Sequence, residues 1–352
     1  MNQMSQKISN FRTDILQNTQ LGRICASGKL FCDRYEIISI LGRGGFGVTF
    51  LAKNVRLPGH PLCVIKQLCP QMNNPQKLAR ARKRFAKEAK ILGQVGSHSQ
   101  IPMLLDYFEI NGEFYLVQEY ISGLNLSQVV KKTGVKNEVS VKQFLRQILP
   151  VLQYIHNNHV IHRDIKPHNL LHCQDDGRLV LIDFGAVKEE IAQVNDIYEN
   201  KQQQTSFVGT MGFAAPEQLS LHPVYASDIY AVGVTCLYLL TGKPPLEFDY
   251  DSVTGELCWQ QYIDLTPHFT YILNKMLKIC VEERFQSAQE VLVALSMESE
   301  LPTLTDCLSS QRLSMVHTTH SQDDNIQQYL PPVSRTAQAI RQWRTKLKTK
   351  IC

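Results

Sequence analysis

The sequence predicts an α+β chain of two lobes: a small antiparallel sheet with one inserted helix, then a larger, mainly helical part. Three observations predict it. Strand-like segments cluster between Tyr35 and Tyr120. One charged segment of helical spacing, 75–92, interrupts them. Beyond Gly123 the apolar spacing turns helical.

The elements follow in order. Segment 35–41 is rich in β-formers and ends on a glycine cluster. Segments 48–53 and 63–68 read as the next two strands, joined by a Leu-Pro-Gly-His-Pro turn at 57–61. Pro75 opens the helix, with Phe85, Ala89 and Leu92 on one side. Segments 103–110 and 113–120 flank Asn111-Gly112, a strong hairpin signal. A helix over 141–159 carries the stripe Phe144, Leu145, Ile148, Leu149, Leu152, Ile155. Leu170-Leu171 and 179–182 form a short hairpin across Asp175-Asp176-Gly177. Ser227 or Asp228 can cap the next helix. Its apolar run, 229–240, is too short for a bilayer and reads as a buried core helix. Further helices fit 269–280 and 287–295. There is no internal repeat.

Composition narrows the class. Of 352 residues, 43% are hydrophobic and 20% charged, which excludes a collagen, a wholly disordered chain and a disulfide scaffold. The first twenty residues lack the apolar stretch of a secretory signal. The ten cysteines form no C-x-x-C pair and read as reduced thiols of a cytoplasmic protein. The net charge is +5. Six basic residues and no acid fall within 335–352, so the rest is near neutral.

Several residues carry chemistry. Gly42-Arg43-Gly44-Gly45-Phe46-Gly47 is a G-x-G-x-x-G, followed by a β-rich segment rather than a helix. It therefore reads as a flap between strands, able to bring backbone N–H groups to phosphate oxygens, or as a plain glycine hairpin. Lys66 ends an apolar strand. It is either a snorkelling surface residue or a point charge for phosphates, paired with Glu88 of the following helix. His162-Arg163-Asp164-Ile165-Lys166-Pro167-His168-Asn169 and Asp183-Phe184-Gly185 come next, then Ala215-Pro216-Glu217.

These motifs, in this order, make the sequence similar to eukaryotic-type (Hanks-type) serine/threonine protein kinases over about residues 35–295. Finer features, Gly-Gly-Phe-Gly-Val-Thr-Phe-Leu-Ala and Leu-Ile-Asp-Phe-Gly-Ala-Val-Lys, resemble the cyanobacterial members. The resemblance implies the bilobal kinase fold, with a β-rich N-lobe at 35–119 and a helical C-lobe at 120–296. Flanking them are an N-terminal extension, 1–34, and a Ser/Thr-rich, basic tail, 297–352. It implies transfer of the ATP γ-phosphate to Ser/Thr hydroxyls of proteins, with autophosphorylation and a signalling role. Asp164 would orient the substrate hydroxyl, with Lys166 near the transferring phosphate. Asn169 and Asp183 would ligate Mg²⁺, with Mn²⁺ an alternative. Lys66, oriented by Glu88, would hold the α/β-phosphates. The nucleotide would contact Leu41, Gly42, Arg43, Gly44, Gly45, Phe46, Gly47, Val48, Thr49, Val64, Gln118, Glu119 and Tyr120.

The resemblance also implies structural partners. Thr210 would contact Asp164 and Lys166, Glu217 would pair with Arg284, and Asp228 would brace the catalytic loop. Arg163 suggests that phosphate on Thr205 or Ser206 raises activity; a constitutively ordered segment is the alternative. Two positions depart from the family: Thr49 stands where Val is common, and Val64 where Ala is common. Gln118 at the gate should close the rear pocket. His156, His159 and His162 form no expected metal site, because no carboxylate pattern completes one. A catalytically silent scaffold is disfavoured by the filled catalytic positions, and a small-molecule kinase by the activation segment.

In the tail, Ile340, Trp343, Leu347 and Ile351 recur at helical spacing among basic residues. Such a stripe suits an acidic partner or an anionic membrane surface; docking onto the body and solvated disorder are the plainer readings. Nothing resembles a nucleic-acid reading motif.

Overall fold

The computed structural model describes residues 19–43, 47–68, 75–189 and 209–297, all within one unit spanning 1–299. Thr205, Ser206 and the tail stripe lie outside the described residues, as do Gly44, Gly45 and Phe46.

The small lobe is a six-stranded antiparallel sheet in the order β1-β2-β3-β4-β6-β5. Its strands are β1 (Leu30–Phe31), β2 (Tyr35–Arg43), β3 (Gly47–Asn54), β4 (Leu62–Leu68), β5 (Leu104–Ile110) and β6 (Glu113–Glu119). Asn111 and Gly112 turn between the last two with φ of 53° and 77°, the left-handed pair that a tight hairpin needs. Period-two alternation gives the sheet two apolar faces. Phe50, Ala52, Cys63, Ile65, Tyr115 and Val117 form a core on one face.

That face is covered by a helix the sequence reading did not anticipate. α1 (Gln20–Ser27) lies in the segment that reads as an N-terminal extension. The Thr19 hydroxyl accepts from Gly22 N–H, and Gly28 (φ 66°) ends the helix. Leu21 is 0% exposed within the outer core. Gln20 Oε1 accepts from Tyr115 Oη at 2.7 Å.

The opposite face receives α2 (Pro75–Val95), whose Phe85, Ala89 and Leu92 join the large core. The large lobe contains α3 (Leu126–Thr133), α4 (Glu138–Asn157), the short α5 (Pro216–Leu219), α6 (Tyr225–Thr241), α7 (Pro267–Met276) and α8 (Ala288–Ser296). β7 (Gly123–Asn125), β9 (Leu170–Cys173) and β10 (Leu179–Leu181) form a three-stranded sheet in the order β10-β9-β7. β8 (Val160–Ile161) pairs with β11 (Lys188–Glu189). The hairpin read across Asp175-Asp176-Gly177 is present as β9–β10.

α6 is buried along almost its whole length. It begins at Tyr225, so neither Ser227 nor Asp228 caps it by standing before it. Ser227 instead accepts from Val224 N–H inside the first turn and donates to Glu217 at 2.6 Å. Arg284 completes that junction. Its guanidinium meets Glu217 at 2.8 Å and donates to the carbonyls of Ala226, Lys278 and Ile279. Among the described residues, no helix is long and apolar enough to cross a membrane.

The burial of Leu21 gives a test of α1. Leu21→Ala should lower unfolding stability by about 2–5 kcal/mol, read by denaturant titration. A loss within about 0.5 kcal/mol would mean that α1 is not part of the folded lobe.

Candidate active site

Strand register brings the roof of a cleft together. Thr49 pairs with Lys66, Lys66 with Leu116, and Val64 with Gln118. Residues opposite one another share a face, as do residues two apart. Thr49, Val64, Lys66 and Gln118 therefore point to one side and line a cleft of about 360 Å³. Leu41, Gly42, Glu119, Tyr120, Asn169 and Asp183 also line it.

Val48 falls on the opposite face, within the outer core, and does not line the cleft. Arg43 and Gly47 are not among the lining residues either. Gly47 is needed for packing: a Cβ there would run into the Gln67 carbonyl of β4. Pro102, Ile121, His168, Leu171 and Ile182 also line the cleft, without having been foreseen. His168 and Ile182 stand inside quoted motifs, but as positions with no role of their own there, while Pro102, Ile121 and Leu171 are residues of strands and connections with no chemical signature in the chain.

Lys66 is the hinge of one charged cluster. Its Nζ donates to Glu88 Oε1 at 2.5 Å and to Asp183 Oδ1 at 3.2 Å. Three segments meet at this ammonium: β4, α2 and the turn holding Asp183. Glu88 is buried because it lies on the inward side of α2, which packs against the 3₁₀ turn Phe184–Ala186. Burial alone would lower the Lys66 pKa, but Asp183 and Glu88 outweigh it and raise it well above the usual lysine value. Lys66 in turn holds the Asp183 carboxyl below the usual range.

A second cluster surrounds Asp164. Lys166 Nζ donates to Asp164 Oδ2 at 2.7 Å and to Thr210 Oγ1 at 2.6 Å. Thr210 Oγ1 donates to Asp164 Oδ1 at 2.7 Å. Asn169 Nδ2 reaches Asp164 O at 2.8 Å and Oδ2 at 2.9 Å. The amide of Asn169 is thereby oriented with Oδ1 as its remaining oxygen. With the half-exposed Asp183 carboxylate, it offers a hard divalent cation two oxygen ligands.

Asp228 holds the backbone below. It is 0% exposed and accepts from His162 N–H and Arg163 N–H, both at 2.8 Å. His156, one of the spaced histidines, lies 3.0 Å from the same carboxylate, which explains its place in the helix. These bonds hold Arg163 at φ 70°, a strained value for a side-chain-bearing residue. Burial would raise the Asp228 pKa, but the His156 contact and the backbone donors prevail and lower it. His162 is fully buried, edge-on to Phe184 at 4.9 Å, and burial lowers its pKa.

The comparisons with known proteins agree with this geometry. The family described as Protein kinase domain matches residues 35–295. Serine/threonine-protein kinase B of Synechocystis is 51% identical over 306 residues, 86% of this chain and 52% of its own length. Serine/threonine-protein kinase PknA of Nostoc is 42% identical over 271 residues, covering 76% and 48%. The chain thus spans about half the length of these curated relatives. The crystal structure of the Mycobacterium tuberculosis PknI kinase domain superposes with a TM-score of 0.57 at 24% identity, over 77% of this chain and 98% of that one. At that identity the likeness concerns the fold alone.

A depressed carboxylate pKa stabilises the fold above the unfolded-state value and ceases to do so as pH falls through the folded one. Asp228 therefore contributes fully at neutral pH. Asp228→Asn should cost about 2 kcal/mol at pH 7, read by denaturant titration, and the gap should narrow as pH falls below about 4. A gap that is constant with pH would contradict this.

Proposed function

The chain belongs to the protein kinase family, and on that premise we propose that it is an active serine/threonine protein kinase using ATP and Mg²⁺, with Mn²⁺ as an alternative. The observation that carries the proposal is the Lys66 ammonium bridging Glu88 and Asp183. It supports an assembled site, because α2, β4 and the Asp183 turn are already in register.

Each residue then has a role. Lys66 binds the α/β-phosphates and is kept charged by its two carboxylates. Asn169 and Asp183 would hold Mg²⁺, whose chemistry is to neutralise charge on the phosphate oxygens. Asp164 accepts or orients the hydroxyl proton of the protein substrate. Lys166 stabilises charge on the transferring group, and Thr210 fixes the Asp164–Lys166 pair. Thr49 and Val64 cover the base. Gln118 is 6% exposed and narrows the rear of the cleft. Gly44, Gly45 and Phe46 of the glycine loop would offer backbone N–H groups to the phosphates.

Activation by phosphate on Thr205 or Ser206 is supported by Arg163. Its Nε is buried without a hydrogen-bond partner among the described residues, and it lies in the field of Arg84, a second cation. A doubly charged phosphate would give the Arg163 Nε an acceptor and offset the mutual repulsion of the two cations. We assign the catalytic domain to 35–296, with α1 and β1 of the preceding segment packed onto its sheet and a tail following it, and the protein to the cytoplasm. The basic tail stripe is read as a contact for an acidic partner or an anionic membrane surface.

Labelling of a generic protein substrate with γ-labelled ATP tests the proposal. Wild type should transfer label, and Asp164→Ala should lose at least about 10³-fold while still binding nucleotide. The Thr205→Ala/Ser206→Ala double variant should retain less than about a tenth of wild-type turnover. Label transfer that is equal with and without Asp164 would overturn the kinase reading. Full turnover in the double variant would overturn the activating phosphate alone.

A further inference from the structure

The catalytic loop is gripped from two sides. Asp228 takes the N–H groups of His162 and Arg163. The carbonyl of Arg163 points elsewhere, and one side chain meets it: Gln218 Nε2 donates to Arg163 O at 2.6 Å. Gln218 is 1% exposed and sits on α5, immediately after Glu217. Its own N–H is tied to Ala215 O at 3.0 Å. Its backbone is thereby anchored in the segment that carries Thr210.

The Arg163 carbonyl belongs to the same planar peptide as the Asp164 N–H. Holding that oxygen fixes the plane from which the Asp164 side chain departs. Among the described residues, the other hydrogen bond of this peptide is the long contact from Asp164 N–H to His162 Nδ1, at 3.4 Å. The plane follows a residue in the left-handed region, so it is under tension and would relax if one side were released. The bonds to the Asp164 carboxylate do not substitute for this grip, because they come from groups that must respond during transfer.

We infer that Gln218 is a positioning residue for Asp164, coupling the α5 segment to the catalytic loop through the Arg163 carbonyl. The inference rests on the kinase reading for its catalytic consequence. Its structural half, the restrained peptide, stands separately.

The experiment uses the full chain with two substitutions. Gln218→Met keeps length and removes the donor. Gln218→Glu also keeps the shape, but an ionised carboxylate would face the carbonyl and repel it. A buried carboxyl has a raised pKa, and once protonated its O–H can donate to Arg163 O. Gln218→Met should lower kcat roughly 10- to 100-fold with KM for ATP within about twofold, because a small misplacement of a reacting group has that effect. ATP hydrolysis and peptide phosphorylation should fall in parallel. For Gln218→Glu, activity relative to wild type should recover as pH falls from about 8 to 6, whereas Gln218→Met stays flat. Amide hydrogen exchange over 160–170 should be faster in Gln218→Met, which reads the restraint without catalysis.

An unchanged kcat in a folded Gln218→Met, with wild type active, would overturn the proposal. So would unchanged exchange over 160–170, whether or not wild type is active. Loss of thermal stability with kcat intact would mean a packing role only. An inert wild type with faster exchange in the variant would keep the restraint and overturn the kinase reading instead.

Discussion

The site depends on one ammonium group. Lys66 is the meeting point of a strand, a helix and a loop that are far apart in the chain. Burying it is unfavourable by itself, and only two carboxylates make the charged form stable there. That requirement places α2 and the Asp183 turn. A shift of α2 that removed Glu88 would leave a buried charge with half its compensation. The geometry suited to phosphate binding is thus the one that the buried charge favours energetically.

A second constraint is local. The backbone at Arg163 is held at a positive φ so that Asp164 faces Lys166, Thr210 and Asn169. Fully buried Asp228 supports this from below, and His156 supports Asp228. α6 is buried almost throughout, so its first turn gives this carboxylate a rigid base. The junction of Glu217, Ser227 and Arg284 fastens the α5 segment to the same helix. Substrate-side and catalytic segments therefore share one foundation.

Much of this was legible because periodicity and turn chemistry are local. The short apolar run at 63–68 after the Leu-Pro-Gly-His-Pro turn identified β4, and Asn111-Gly112 identified the β5–β6 turn. The stripe from Phe144 to Ile155 identified α4. α1 escaped because an eight-residue helix carries too few apolar positions to stand out; the bracket of Thr19 and Gly28 around Leu21, Ile24 and Cys25 was its only signal. β7 escaped because three residues have no measurable period. Ser227 and Asp228 looked like N-caps, yet Ser227 acts from inside the first turn, accepting from Val224 N–H and donating to Glu217, and Asp228 serves the distant His162 and Arg163 amides. In the site, the charged motif residues were legible as types in order. The face on which Val48 points needed the strand register. Gln218 had no signature, since a side chain bonded to a distant carbonyl leaves no spacing in sequence. The charge balance also hid a feature: α2 sets seven Lys and Arg residues against Glu88 as its one acid, within a body that is near neutral overall.

The central claim is that Lys66 and Glu88 act as one unit in holding phosphate. A double-mutant cycle on phosphoryl transfer, with Lys66→Met and Glu88→Gln, tests it most directly. Each single variant should lose at least about 10²-fold in kcat/KM, and the double variant should be no worse than Lys66→Met alone. Losses that multiply in the double variant would mean that the two residues act independently, and would contradict the account.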